Sequence, residues 1–360
     1  MRKLGRETSL SLKQRPRGDS GPQKLETLNL FSLLQSGDGS ALYDPANRQS
    51  FLAQVDSGLT RALDSEATLH GIRVQSMFQA MVANLDHVRL LKEEDAGNCY
   101  YQSDDEIRVP DFRVITDNGE AWLLETKNHF SKDPMRRYRI RTADLEALAR
   151  YAGLVGTPLR LAIYWAHWNQ WTVNDPKRFT VDGNYSQIEF IQAMKENEMA
   201  TLGDYRIGTT YPLTLKLFAA MDKPRTISQE GVVSMQIGNV EIHCADVLLE
   251  DKVERNMALY FMMYGRWEYD GGRIERDHEG LPIAAIHTSS PAEPTPNQGF
   301  EIVDSLSSLY SQHYNSLTLE GSRVLRLNLP EPATFAPIIP RNWERKQLPL
   351  WRFIQRPNFD

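Results

Sequence analysis

The stretch VPDFRVITDNGEAWLLETKNH, Val109 to His129, decides how this chain is read. It divides into two strand-like pieces around Thr116-Asp117-Asn118-Gly119. Asn-Gly readily takes the positive φ of a two-residue hairpin loop, so the break is a strong turn signal. The second piece carries the apolar run Ala121-Trp122-Leu123-Leu124, which predicts burial on both faces. A strand with one exposed face would alternate throughout. Yet the run ends in Glu125 and Lys127, and Asp111 stands directly after Pro110 on the preceding strand.

Side chains alternate along a strand with period two. Glu125 and Lys127 therefore share one face, and Leu124 and Thr126 take the other. Asp111, at the paired end of the neighbouring strand, can project onto the first face. Two nearby carboxylates repel unless a cation lies between them. Mg²⁺ suits such a pair, because it prefers oxygen ligands and keeps several waters. The Thr126 carbonyl is a candidate third ligand. A water beside the Lys127 amine can be oriented for attack, and a metal can neutralise charge on a phosphate. The bland alternative is a salt bridge on an exposed strand.

The surroundings give an order of elements. Helical patterns run from Gln49 to Leu63 and from His70 to Leu91, the second with Ile72, Met77, Met81, Leu85 and Val88 at helical spacing. Cys99-Tyr100-Tyr101 is a candidate strand before the hairpin. Residues 143–156 read as a helix ending near Gly153 or Gly156, and PLRLAIYWAH (158–167) as a buried strand. Beyond these, a helix is expected over Tyr185–Ala200, a hairpin turning at Ile237-Gly238-Asn239, a helix near Asp251–Trp267, loop over Tyr269–Pro296, a helix after Gly299 and an irregular end.

Composition is that of an ordinary globular protein: 360 residues, 41% hydrophobic, 24% charged. A net charge of -6 provides no overall basic field, so a nucleic-acid partner would meet a local patch. Cys99 and Cys244 match neither a zinc spacing nor a disulfide framework. With no signal-peptide pattern and no apolar run near about 20 residues, a reducing cytoplasm and no membrane contact are expected. Residues 1–25 read as a disordered basic tail, with a nucleic-acid-touching arm as the alternative.

Pro110-Asp111, followed after a hairpin by Glu125-Thr126-Lys127, resembles the PD-(D/E)XK nuclease superfamily, including its RecB-like, Holliday-junction-resolvase-like and restriction-endonuclease-like members. The order helix, three strands, helix, strand over roughly residues 66–175 resembles that superfamily's core. The resemblance implies an α/β fold: a restriction-endonuclease-like core with a mixed central sheet flanked by helices over residues 26–182, plus a C-terminal α+β domain over 183–360. It implies Asp111 and Glu125 as metal ligands, with the Thr126 carbonyl, and Lys127 as the residue that orients the attacking water. The metal would be Mg²⁺, with Mn²⁺ as substitute. Many members carry a glutamate in the first core helix four residues after a glycine; here Gly71 is followed by Gln75, an amide that can hydrogen-bond a metal-bound water. RecB-like members carry Gln-x-x-x-Tyr on the later helix; here Tyr151 follows Ala147.

Arg136, Arg137, Arg139 and Arg141, with Tyr138 between, read either as phosphate contacts or as a solvated helix start. Lys132 and His129 are further candidates. Trp168 or Trp171, if exposed, could stack on an unpaired base. His243-Cys244 has no second metal-binding pair nearby. The functional expectation is a Mg²⁺-dependent endonuclease acting on DNA, by analogy in restriction, transposition or defence. A homodimer and a protein partner of the C-terminal half are compatible with it. The alternatives are a nuclease-like subunit without catalysis and a structural protein with a chance motif.

Overall fold

The computed structural model describes residues 12, 22–34, 44–94, 99–102, 104–332, 334–337, 339, 343–344 and 347–359. The tail expected over residues 1–25 lies outside these, apart from Leu12 and the start of the first helix. Helices α1 (Pro22–Leu34), α2 (Pro45–Leu63) and α3 (Glu66–Ala83) come first. Then follow β1 (Val88–Glu93), β2 (Phe112–Thr116), β3 (Ala121–His129), β4 (Tyr138–Arg141), α4 (Thr142–Val155), β5 (Leu159–Trp165) and β6 (Gln170–Asn174). Five of these strands form a mixed sheet in the order β1-β2-β3-β5-β6. Only β3 and β5 run parallel, with Glu125 opposite Leu161. A parallel pair needs a crossover, and α4 supplies it.

Both faces of β3 are covered. Trp122 and Leu124 join a cluster with Val74, Met77, Phe78 and Met81 of α3. Leu123 joins another with Leu145 and Leu148 of α4 and Leu161 and Ile163 of β5. This is the physical reason for the unbroken apolar run. Local signals agree: Ser65 caps α3, its Oγ accepting from the Thr68 N–H at 3.3 Å, and Gly156, at φ 64°, ends α4 in the left-handed region.

The hairpin loop differs from its two-residue expectation. Gly119 alone takes a positive φ, 88°, and the Thr116 N–H donates to the Glu120 carbonyl at 2.9 Å. This is a three-residue loop with one left-handed residue. The helix expected to reach Leu91 stops at Ala83, because the Asn84 side chain turns back onto the Ala80 carbonyl at 2.8 Å. Val88 begins β1, which takes the place of the strand expected at Cys99–Tyr101. Tyr100 and Tyr101 are exposed and outside any strand.

The remaining elements are β7 (Thr180–Asp182), β8 (Tyr185–Ile188), α5 (Phe190–Lys195), β9 (Arg206–Thr209), β10 (Leu213–Ala219), β11 (Arg225–Ile227), β12 (Val233–Met235), β13 (Ile237–Cys244) and β14 (Val247–Leu248). They are followed by α6 (Lys252–Tyr264), β15 (Glu268–Tyr269), β16 (Arg273–Arg276), β17 (Pro282–Ser290), β18 (Glu301–Ser305), α7 (Leu306–Thr318), β19 (Leu319–Glu320), β20 (Arg323–Val324) and β21 (Leu350–Phe353). The helix expected over Tyr185–Ala200 is instead β8 followed by the short α5, because Ser186 to Ile188 pair with β4. No turn interrupts residues 237–239, which lie inside β13 as it pairs with β10. The expected loop over Tyr269–Pro296 contains β17, central in its sheet between β10 and β15, with Ala284, Ala285 and Ile286 buried.

The second half packs on the sheet through α3. One cluster joins Met77 and Phe78 to Met257 and Phe261 of α6 and to Tyr310 and Tyr314 of α7. Phe78 and Trp171 lie 5.0 Å apart between ring centroids, and the Trp171 indole donates to Ser311 Oγ at 2.8 Å. Phe78→Ala should therefore cost about 3–5 kcal/mol by urea denaturation. The fluorescence of both halves should be lost in one transition. Two separated transitions would contradict this shared core.

Candidate active site

Asp111 stands at the mouth of β2, behind the buried Pro110. Its carboxylate is held from two sides. The Thr126 N–H donates to Oδ2 at 2.6 Å, and the Thr126 hydroxyl donates to the same oxygen. From α3, the Gln75 amide donates to Oδ1 at 3.1 Å. The Asp111 carbonyl accepts the Glu94 N–H at 2.8 Å, which fixes the end of β1 beside it. Hydrogen bonds to a charged group are each worth about 1.5–3 kcal/mol, so this carboxylate is firmly placed.

Glu125 is 5% exposed. Lys127, on the same face of β3, forms an ion pair with its Oε1. Burial pushes the Glu125 carboxyl above its ordinary 4.5; Lys127 pulls it back in part, and the charge of Asp111 pushes it up again. The two acids thus feel each other. Tyr138, on β4, faces the same region: burial raises its pKa first, and the Glu125 charge adds to that.

A cavity of about 1030 Å³ opens here, lined by Gln75, Asp111, Thr126 and Lys127 and continued by Arg73 and Asn128. Glu125 lies behind that wall. A buried Asn128 side-chain oxygen has no partner among the described residues. Asp111, Glu125 and the Thr126 carbonyl would offer oxygen donors alone, the chemistry a hard cation such as Mg²⁺ selects, with water completing its shell. Among the described residues, no group of three or more His, Cys, Asp or Glu side chains converges as a metal cage.

The basic cluster lies apart, on and before β4, in a sheet with β8 and β7. Arg137 pairs with Glu189, and Arg141 makes a two-toothed pair with Asp144 at 2.8 and 2.9 Å. Arg139 stacks over the Tyr185 ring at 4.3 Å. The Arg136 carbonyl takes up His129 Nε2 at 2.9 Å. Arg139 and Arg141 lie in β4, Arg136 and Arg137 just before it, and Arg141 also stands at the start of α4, so the helix-start reading holds for Arg141 alone. Three of the four guanidiniums have protein partners. Tyr151 donates to Glu94 Oε1 at 2.7 Å, and burial with that bond pushes its pKa up to about 12. Trp171 is buried, so it offers no face to a base. Trp168 is stacked on Phe190 at 5.4 Å. His243 pairs with Glu241 at 3.0 Å.

Residues not anticipated also line the cavity: Arg73, Asn128, Phe130, Tyr164 and Asn315. The signal for Arg73 was in the sequence, since it precedes Met77 and Met81 at spacings of four on the buried stripe of α3. Glu94 was also missed; it joins Arg113 at 2.6 Å and Tyr151 beside the Asp111 backbone.

Comparison with protein-family models gives no match, and comparison with curated proteins gives none. Among solved structures, the chain is similar to Hjc, a Holliday junction resolvase from the archaeal hyperthermophile Archaeoglobus fulgidus. The identity is 13%, over 26% of this chain and 75% of that one, with a TM-score of 0.20. Likeness at that level does not establish a family.

The electrostatics give a pH test. The folded Glu125 carboxyl keeps its proton to higher pH than the unfolded chain does, so stability is lost as pH rises from about 4.5 through the raised value. Glu125→Gln removes that loss. Its melting temperature should rise relative to wild type between pH 4 and pH 7.5. A difference that stays constant over this range would show that Glu125 is not destabilised by burial.

Proposed function

We propose that this protein is a metal-dependent endonuclease that hydrolyses phosphodiester bonds of DNA, built on a restriction-endonuclease-like core. The observation that carries the reading is that Asp111 and Lys127 line one large cavity, with the buried Glu125 ion-paired to Lys127 behind its wall. The resemblance of Pro110-Asp111 and Glu125-Thr126-Lys127 to the PD-(D/E)XK motif supports it.

In this reading Asp111, Glu125 and the Thr126 carbonyl would hold Mg²⁺, which would supply electrostatic stabilisation of charge on the phosphate. Lys127 orients a water for in-line attack. The water oxygen bonds to phosphorus, the bond to the 3′ oxygen breaks, and the product keeps a 5′ phosphate. Gln75 steadies Asp111. Lys127 pairs with Glu125 in the structure, and its ammonium is the group that would orient the water. Residues 26–182 carry this chemistry, and residues 183–360 contribute recognition and contact with a partner or second copy.

A second reading is favoured by one observation: the amide of Gln75 stands against Asp111 where a carboxylate would add a metal ligand. It makes the chain a nucleic-acid-binding or assembly subunit without catalysis.

The test is cleavage of single-stranded, duplex and branched DNA by the full chain with Mg²⁺ or Mn²⁺. Wild type should cut, and Asp111→Ala and Lys127→Ala should each lose about 10²–10⁴-fold in rate. Equal inertness of all three proteins on every substrate would remove the enzyme reading and leave the second.

A further inference from the structure

Arg73 occupies an unusual position for a charged side chain. It is 3% exposed, on the stripe of α3 that carries the fully buried Met77 and Met81. Its Nη1 donates to Asn315 Oδ1 at 2.7 Å and to Thr318 Oγ1 at 3.3 Å, both on α7. Both partners are neutral. Its Nε is buried and donates to nothing among the described residues. Burial lowers its pKa, offset in part by the neighbouring Tyr164 and Tyr314. A guanidinium stays protonated under such conditions, so the fold holds a buried cation with no counter-charge among the described residues. Removing a cation from water without a partner is costly, and a fold retains it where an anion completes the site.

That anion has a route. Arg73 lines the same cavity as Asp111 and Lys127, together with Asn315 and Ser322. The planar guanidinium fork matches phosphate oxygens. The Ser322 hydroxyl is a further donor for a tetrahedral group, as is the second N–H of the Asn315 amide, whose Nδ2 also donates to the Tyr164 hydroxyl at 3.2 Å. Arg73 and Gln75 leave α3 in opposite directions, one toward α7 and the other toward Asp111. The cation therefore sits beside the candidate reaction centre, not within it.

We propose that Arg73 binds a phosphate, and that the phosphate belongs to an unpaired nucleic-acid strand entering this cavity. A residue so deeply buried is out of reach of phosphates on the outside of a duplex; a single strand threading the cavity can present one. The strand as source rests on the nuclease reading, whereas the phosphate chemistry does not.

The experiment uses the full chain in EDTA, so that neither metal nor cleavage enters. Fluorescence anisotropy of a labelled 12-nucleotide single strand, and of the matching duplex, is measured over a series of salt concentrations. Wild type should bind the single strand more tightly than the duplex. Arg73→Gln should weaken single-strand binding about tenfold and reduce the slope of log K against log salt by roughly 0.7. Arg73→Lys, which keeps the charge and loses the fork, should weaken binding while keeping the slope, and it stands in should Arg73→Gln not fold. Inorganic phosphate should raise the melting temperature of wild type but not of Arg73→Gln. If phosphate stabilises through Arg73 while strand affinity is untouched by either variant, the strand is overturned as the source. If the variants lower the melting temperature but leave strand affinity, salt slope and phosphate response at wild-type values, Arg73 only ties α3 to α7 and the proposal fails. Loss of cleavage by Lys127→Ala is independent of all these outcomes.

Discussion

The structure depends on β3 being buried on both faces and uncovered at its end. Trp122 and Leu124 are sealed by α3, and Leu123 by α4. The covering helices leave the last residues, Lys127 to His129, partly exposed. A strand so enclosed cannot slip in register, because a shift by one residue would exchange its two apolar faces. The positions of Glu125 and Lys127 are therefore set by the core rather than by their own interactions. Asp111 is set in turn by β3, since Thr126 grips its carboxylate through both backbone and hydroxyl.

Charge at this end of the sheet is balanced, not neutral. Each carboxylate has donors on some of its oxygens: Thr126 and Gln75 for Asp111, Lys127 for Glu125. Burial still holds the Glu125 proton affinity above normal despite the lysine. A site in this condition gains from a cation near the two acids, which connects the packing of β3 to the proposed chemistry. Arg73 shows the opposite imbalance a short way along the same cavity. In the proposed reading, an end that would take a metal and an end that would take an anion are together suited to a ligand carrying phosphate.

The hairpin was legible because period-two alternation, a Pro-Asp start and an Asn-Gly turn are all local signals. So were α4, with its glycine stop, and β5, with its apolar run. β1 was hidden because Leu85 and Val88 continue the helical spacing of α3, and only the backward turn of Asn84 ends the helix. β17 was hidden by its Gly- and Pro-rich flanks, although it pairs on both sides. Arg137 looked free because its partner is remote: Glu189 lies 52 residues away in sequence. Arg73 carried a local signal, a charge on a buried stripe, but its meaning depended on α7, some 242 residues away. What sequence reasoning missed was long-range pairing, which no local pattern encodes.

The central claim is that Asp111 and Glu125 share a divalent cation. The most direct measurement is anomalous diffraction from crystals of the full chain grown with Mn²⁺. A single strong peak between the two carboxylates, with the Lys127 ammonium withdrawn from Glu125, is the predicted result. Manganese bound only elsewhere, with the Lys127–Glu125 pair intact, would contradict it.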